Sequence, residues 1–215
     1  WWNLYKNKIV NYSKELKNQI FNIIQKESDK LKYPTYVVGG WVRDLLLKRE
    51  NTITDIDFVC VGSGIILAEK VALIMGKQAR FKVFKKFGTA LISYKGENYE
   101  FIGARKESYR SNSRKPIVEN GTLEDDQKRR DFTINAISIQ LNKDNFGELI
   151  DPFNGIEDLK NKIIKTPGNP NKTYSDDPLR MMRAVRFATQ LHFEIEKESY
   201  EAILRNCERL SIISQ

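Results

Sequence analysis

Apolar and polar residues recur along this chain with two different periods. Near the start, Leu16, Ile20 and Ile24 follow one another at four-residue spacing, which predicts a helix over residues 13–31 with Ser13 as its N-cap. Two further short helices are predicted in the first half of the chain, over residues 41–48 and 65–75.

Short apolar runs, some of them alternating with polar residues, predict strands between and after these helices. The predicted strands cover residues 35–39, 54–61, 88–94 and 98–103, and residues 134–141 are apolar and partly alternating. The runs at 88–94 and 98–103 are predicted to form a hairpin about Lys95-Gly96-Glu97.

From Ile156 onward the pattern becomes helical. The helical segments cover residues 156–164, 178–191 and 199–206. Strands therefore fill the first two-thirds of the chain and helices the last third. This order predicts an α+β fold followed by a helical segment.

Charge adds information that the periodicity does not carry. The 215 residues include 36 Lys and Arg against 28 Asp and Glu, a net charge of +8. Such a balance indicates a polyanionic partner such as nucleic acid, a nucleotide or a lipid surface, or simply a Lys-rich proteome. Two cysteines and one histidine argue against a disulfide scaffold and against zinc sites built from Cys or His. The chain shows neither a transmembrane run nor a signal peptide, so a cytoplasmic protein is expected.

The basic residues form three clusters. They are residues 77–86, a second group of Arg105, Lys106, Arg110, Arg114 and Lys115, and a third of Lys128, Arg129 and Arg130. A solvated face is one interpretation of the first cluster. The second falls in residues 105–126, which show no clean periodicity and are expected to form a mobile, functional loop.

Two carboxylates stand out on the predicted strand 54–61. Asp55 and Asp57 are two residues apart, so their side chains point to the same face, while Ile56 and Phe58 point to the other. Paired carboxylates suit Mg²⁺, which completes its shell with water and substrate phosphate, and two such ions can clamp a phosphoryl transfer. Glu100 on the hairpin is a third candidate. The alternative is that these are ordinary residues of exposed strands.

The residues just before this strand carry a second signal. Gly39-Gly40 ends a strand and begins a helix, so phosphate oxygens could approach bare backbone N–H groups. Arg43 is expected in the first helical turn, within reach of a triphosphate. Asp44 would also favour the helix N-terminus, which is the purely structural interpretation.

Together these residues resemble a known pattern. Gly39-Gly40-Trp41-Val42-Arg43-Asp44 followed by Asp55-Ile56-Asp57 resembles motif A of the class II tRNA nucleotidyltransferases, which comprise the CCA-adding enzymes and the bacterial poly(A) polymerases. Three more segments match the family in order, residues 129–136 as motif B, 151–159 as motif C and 176–180 as motif D, where Asp176 replaces the usual Glu.

The resemblance implies roles for particular residues. In motif B, Arg130, Asp131 and Asn135 are implied to contact the nucleotide's ribose and phosphate; otherwise Arg130 pairs with Asp131 and Asn135 caps a helix. In motif D, Asp177 and Arg180 are implied to read the base of CTP or ATP. If both lie on one helix they share a face. Otherwise residues 176–178 form a helix N-cap with proline in the first turn.

The family also implies a fold and an activity. The fold is a nucleotidyltransferase head with a mixed sheet and flanking helices over residues 1–150, followed by the start of an all-α neck over 151–215, without the body and tail that grip tRNA. The activity is Mg²⁺-dependent, template-independent addition of CMP and AMP from CTP and ATP to the 3′ end of tRNA, with no membrane involved. Poly(A) polymerase, CC-adding and A-adding enzymes remain alternatives, and a non-catalytic RNA-binding module is the alternative from another class.

Overall fold

The computed structural model describes residues 10–49, 55–109 and 116–213. Arg110, Arg114 and Lys115 of the second basic cluster lie outside these ranges, as does Thr54 at the start of a predicted strand. No helix within them is long and apolar enough to cross a lipid bilayer.

A seven-stranded mixed sheet organises the first part of the chain. The strands are β1 (Thr35–Val38), β2 (Asp55–Cys60), β3 (Arg80–Phe84), β4 (Thr89–Tyr94), β5 (Glu97–Gly103), β8 (Ser138–Gln140) and β9 (Leu149–Ile150). Their order in the sheet is β3-β4-β5-β2-β1-β8-β9, and within it only the pair β2–β5 is parallel. The predicted α+β class with a mixed sheet and flanking helices is therefore confirmed.

Two helices cover one face of this sheet. They are α1 (Gln19–Leu31) and α3 (Gly64–Met75), and the ring of Phe21 on α1 packs 6.0 Å from the ring of Phe58 on β2. The predicted N-cap at Ser13 is wrong, because Asn18 caps α1 through its side chain. Residues 11–15 do not continue the helix, since the Tyr12 N–H donates to the Gly147 carbonyl at 2.7 Å instead.

The predicted hairpin is present with a tighter turn than expected. Lys95 and Gly96 both have positive φ, 50° and 84°, as a two-residue hairpin turn requires, and Glu97 already belongs to β5. The sequence analysis missed β3. Residues 80–83 do alternate basic and apolar side chains, but the sequence analysis assigns this run only to a basic cluster, and four of the five residues of β3 are exposed.

The remaining elements are short strands and helices. They are α2 (Gly40–Leu46), β6 (Arg105–Ser108), β7 (Ile117–Asn120), α4 (Leu123–Lys128), α5 (Gly155–Asn161), β10 (Ile163–Ile164), α6 (Pro170–Asp176), α7 (Leu179–Leu191), β11 (Glu194–Ile195) and α8 (Lys197–Asn206). The expected loop over 105–126 is wrong for its described parts, because β6 and β7 pair antiparallel and α4 begins with a capping box of Thr122 and Asp125. The helices predicted at 156–164, 178–191 and 199–206 correspond to α5, α7 and α8. The first prediction is too long, because Ile163 and Ile164 form β10, which pairs with β11, so residues 151–215 are not all-α as expected.

The chain divides into two compact units that alternate along the sequence. The first comprises residues 1–42, 50–103 and 138–150, and the second comprises 43–49, 104–137 and 151–215. The predicted cut after residue 150 coincides with one of these boundaries. The assignment of residues 1–150 as a head and 151–215 as a neck stays a prediction.

Candidate active site

Three carboxylates lie on the sheet face opposite helices α1 and α3. Asp55 and Asp57 project from β2, alternating with the buried Ile56 and Phe58. Glu100 on β5 is the cross-strand partner of Asp57. Cross-strand partners share a face, so all three carboxylates are on the same side of the sheet. Asp55 is exposed and the other two are partly exposed, which leaves this cluster accessible to a ligand.

A hydrogen-bonded chain that the sequence analysis missed orients Asp55. The Asn98 amide donates to Asp55 Oδ1 at 2.9 Å, and the Ser93 hydroxyl donates to Asn98 Oδ1 at 2.7 Å. Both are cross-strand neighbours in the row that contains Asp55. The alternation of side chains along a strand could have indicated that Asn98 lies on the carboxylate face, because it is two residues before Glu100 on the same strand.

The donor set of this cluster fits magnesium. Across the described ranges, no group of three or more His, Cys, Asp or Glu side chains is gathered tightly enough to hold a metal by itself. Mg²⁺ does not require such a cage, since it is usually held by one or two carboxylates together with water and substrate phosphate. Asp55 and Asp57 provide two carboxylates on one face, with Asn98 as the outer group that fixes Asp55.

The Gly39-Gly40 turn lies beside this cluster in the sheet. Val38, the last residue of β1, is the cross-strand partner of Asp57. Gly39 follows it with a φ of 78°, in the left-handed region, and is buried, so a side chain here would be strained. Gly40 then begins α2. The chain thus turns next to the carboxylates with bare backbone.

Arg43 belongs to the second unit, and its guanidinium is held by internal partners. It donates to both carboxylate oxygens of Asp44 at 2.9 Å and to Asn135 Oδ1 at 3.0 Å, and only 8% of the residue is exposed. Helix α2 has seven residues and Arg43 is the fourth, so it belongs to the first turn, as expected, and also to the last turn. In this arrangement Arg43 fixes the side chain of Asn135.

Asp131 accepts three hydrogen bonds and forms an ion pair in the second unit. Arg183 Nε donates to its Oδ2 at 2.7 Å, and Arg183 Nη2 lies 2.6 Å from the same oxygen. The Phe132 N–H and the Asn135 amide donate to its Oδ1. Arg183 was not predicted, although it lies three residues after Arg180 on α7 and therefore near the same helix face. Hydrogen bonds therefore run from Arg43 of α2 through Asn135 and Asp131 to Arg183 of α7.

Arg130 pairs with Asp126 instead of with Asp131. Its Nη2 donates to Asp126 Oδ2 at 3.0 Å, and Arg129 donates to Oδ1 of the same carboxylate. Burial alone would raise the pKa of the Asp126 carboxyl, but the Arg130 and Arg129 guanidiniums together hold it below its usual value. The structural alternative, in which Arg130 pairs with Asp131, is therefore wrong, because Arg130 pairs with Asp126 and Asp131 pairs with Arg183.

Asp177 and Arg180 do not lie on one helix, so that expectation is wrong. Asp177 has extended backbone between α6 and α7, because a following proline disfavours helical geometry, and its carboxylate accepts from the Leu179 N–H at 3.2 Å. Arg180 lies in the first turn of α7. The predicted cap differs in its details, because Pro178 is the N-cap residue and lies before the first turn, while Asp177 accepts from Leu179 one position earlier than a capping side chain would.

The Arg180 guanidinium is anchored beside a polar cavity of about 310 Å³. Its Nη2 donates to the Arg129 carbonyl at 2.7 Å and to the Tyr109 hydroxyl at 3.4 Å. Asp176 also lines the cavity, and burial raises the pKa of its carboxyl. The cavity has the size and mixed polarity that suit a small polar ligand.

Comparison with known proteins gives consistent matches. The family model described as the poly(A) polymerase head domain matches residues 35–165. A CCA-adding enzyme of Lactobacillus helveticus (strain DPC 4571) is 42% identical over 186 residues, covering 85% of this chain and 43% of that protein. An A-adding tRNA nucleotidyltransferase of Geobacter sulfurreducens is 40% identical over 191 residues, covering 88% of this chain and 21% of that protein.

Solved structures match as well. An apo form of a CCA-adding enzyme has a TM-score of 0.82 and 36% identity, covering 93% of this chain and 48% of the other. A tRNA nucleotidyltransferase complexed with a primer tRNA and an incoming ATP analog has a TM-score of 0.73 and 34% identity, covering 86% and 50%. The chain therefore spans half or less of the length of each of these relatives.

Proposed function

We propose a function from the premise that this chain belongs to the poly(A) polymerase head-domain family: it is the catalytic part of an RNA 3′-terminal nucleotidyltransferase. The substrates are CTP and ATP, and the acceptor is the 3′ end of tRNA. The 3′ oxygen forms a bond to the α-phosphorus, the bond from that phosphorus to the bridging oxygen breaks, and pyrophosphate leaves. The observation that carries the proposal is the exposed carboxylate cluster of Asp55, Asp57 and Glu100 on one sheet face.

Asp55 and Asp57 are the residues that would hold magnesium, in a two-metal arrangement. Mg²⁺, when bound, supplies charge neutralisation on the triphosphate and activation of the attacking hydroxyl. Asn98 keeps Asp55 in one orientation, and Glu100 adds a third negative charge next to Asp57. No covalent enzyme intermediate is required, since the 3′ oxygen of the RNA displaces pyrophosphate from the α-phosphorus directly.

The other residues serve the nucleotide. Gly39, Gly40 and Arg43 are proposed for the triphosphate, and Arg130, Asp131 and Asn135 for the ribose. Asp177 and Arg180 are proposed for the base, because a carboxylate supplies acceptors and a guanidinium supplies donors. The hydrogen bonds of Arg180 to Arg129 and Tyr109 support this role, since a fixed guanidinium loses less entropy when it binds a base.

The metal assignment is tested by Asp55→Ala in the full-length protein. Incorporation of CMP into a tRNA that lacks its 3′ end should fall at least about a hundredfold, because a positioned electrostatic group at the reacting phosphate is lost. Asp144→Ala is the matched control, since Asp144 is an exposed acid of the same unit. Equal rates for Asp55→Ala and Asp144→Ala would contradict the assignment.

Nucleotide choice separates CCA addition from its relatives. The A-adding relative is about as similar to this chain as the CCA-adding one, which keeps A-only addition as a second candidate, and poly(A) polymerase as a third through the matched family model. Primers ending before CCA, after the first C and after the second C are extended with CTP, ATP or both. A CCA enzyme extends all three and stops after A, an A-adding enzyme extends only the last, and a poly(A) polymerase uses ATP repeatedly.

A non-catalytic RNA-binding module makes a different prediction. It should bind RNA with strong salt dependence, yet bind neither CTP nor ATP more tightly when Mg²⁺ is added. Calorimetry with and without Mg²⁺ distinguishes it from an enzyme whose two carboxylates hold the metal.

A further inference from the structure

The first basic cluster of the sequence forms the open edge of the large sheet. Strand β3 spans Arg80–Phe84, and among the described residues its only strand partner is β4. Four of its five residues are exposed. Packing therefore does not explain why this edge carries so many positive charges.

The strand register places two of these charges on the same face as the carboxylates. Lys82 belongs to the cross-strand row of Asp57, and Arg80 belongs to the row of Asp55. The pairs that connect them are Lys82–Leu91, Leu91–Glu100 and Glu100–Asp57 in one row and Arg80–Ser93, Ser93–Asn98 and Asn98–Asp55 in the other. Cross-strand partners have side chains on one face, and three strand spacings separate the two ends of each row by ~14 Å.

The alternate residues of β3 point to the other face. Phe81 and Val83 pair with Ile92 and Ala90, which are fully buried on the side of the sheet that helix α3 covers. Because strand side chains alternate, Arg80, Lys82 and Phe84 lie on the uncovered side of the strand. Phe84 keeps 44% of its surface exposed there.

The side chains on this uncovered side have the chemistry of a surface that binds single-stranded nucleic acid. In the described part of the chain, neither Arg80 nor Lys82 forms an ion pair with an acidic side chain. The surface continues past the strand into Lys85, Lys86 and Phe87, and Phe87 is 62% exposed. Basic groups that follow a phosphate backbone, together with aromatic rings on which bases stack, are typical of proteins that bind single strands.

We propose that Arg80 and Lys82 bind backbone phosphates of the RNA acceptor strand, a few nucleotides before the 3′-hydroxyl at Asp55 and Asp57, and that Phe84 stacks on one of its bases. This inference rests on the proposed function, because it assumes that an RNA 3′ end reaches the carboxylates. The incoming nucleotide is not expected to contact this edge, since the proposed function assigns its base to Asp177 and Arg180 and its triphosphate to the Gly39-Gly40 turn.

The test uses the full-length protein with Arg80→Gln/Lys82→Gln and a matched control, Lys26→Gln/Lys70→Gln. The control removes the same charge from exposed residues of α1 and α3, which cover the opposite face of the sheet. Steady-state kinetics then give separate KM values for tRNA and for CTP, and RNA affinity is measured against salt concentration.

The expected result is a selective loss of RNA binding. The slope of log affinity against log salt should decrease by about 1.4, and the KM for tRNA should rise about tenfold at physiological salt, because two contacts to a single strand are lost. The KM for CTP and the kcat at saturating tRNA should stay unchanged. Phe84→Leu should raise the KM for tRNA as well without changing the salt slope, since stacking is lost but no charge is removed.

Several results would overturn the inference. One is a KM for tRNA in Arg80→Gln/Lys82→Gln that equals that of the control, and another is an increase in the KM for CTP alone. Charge reversal in Arg80→Glu/Lys82→Glu without a further loss of RNA affinity would also contradict it. A failed proposed function is distinguishable, because then the unmodified protein adds no nucleotide to any primer.

Discussion

The buried carboxylate of Asp126 leads to a stability prediction with a definite pH dependence. Its side chain is inaccessible to solvent and accepts from Arg129 Nε and Arg130 Nη2, both at 3.0 Å. Asp126→Asn removes the acidic partner of Arg130 and leaves Arg129 with Glu107 alone, at 3.2 Å, although both guanidiniums are mostly buried. Removing one partner of a buried ion pair costs about 3–5 kcal/mol, so the urea midpoint at pH 7 should fall by roughly 1–3 M.

The pH dependence follows from the lowered pKa of Asp126. A carboxyl whose pKa is lower in the folded state stabilises the protein above its ordinary value of 3.8, and that contribution is lost as the pH falls through the folded-state pKa. The difference between the wild type and Asp126→Asn should therefore be largest near pH 7 and shrink below about pH 4.

Urea unfolding followed by circular dichroism at both pH values measures this difference. Glu124→Gln is the control, because Glu124 is an exposed acid on the same helix and its loss removes the same charge without unpairing a buried arginine. Equal midpoints for Asp126→Asn and Glu124→Gln at pH 7 would refute the reasoning. So would a difference that grows as the pH is lowered.

Two further predictions concern Asn98 and the two cysteines. Asn98→Ala should raise the Mg²⁺ concentration for half-maximal incorporation about 10–100-fold, since the group that orients Asp55 is lost. Asn145→Ala, at an exposed position, is the control and should leave this concentration unchanged. An unaltered Mg²⁺ requirement in Asn98→Ala would exclude the positioning role. Burial raises the pKa of the Cys60 thiol to about 12, whereas Cys207 is exposed. A thiol reagent at pH 8 should therefore modify Cys207 rapidly and Cys60 only after denaturation, and rapid modification of both in the native protein would contradict the buried position.

The local features of the carboxylate cluster were predictable because they depend on a short period. The alternation on β2 indicates that Asp55 and Asp57 share a face, and the hairpin turn at Lys95-Gly96 is a local signal. The partnership of Asp57 with Glu100 is different. It depends on parallel pairing between strands forty-three residues apart, and no residue pattern in either strand specifies that register.

The motif D geometry was mispredicted although a local signal was present. Asp177 precedes Pro178, and a residue before proline avoids helical backbone, so helix α7 begins after it. The acidic partner of Arg130, in contrast, has no such local signal in the sequence. Asp126 and Asp131 are both near it in sequence, and only the capped helix α4 brings Asp126 one turn before Arg130.

The alternation of the two units along the sequence has a consequence for biosynthesis. Strand β1 is an interior strand of the sheet, yet one of its two neighbours, β8, begins about a hundred residues after it. Because ribosomes add roughly 5–20 residues per second, β8 is synthesised several seconds after β1. During that time the edge of β1 that pairs with β8 has no strand partner. The first unit therefore cannot complete its sheet before the strands and helices over residues 104–137 have been synthesised, and a nascent chain stopped at residue 137 would retain that open edge.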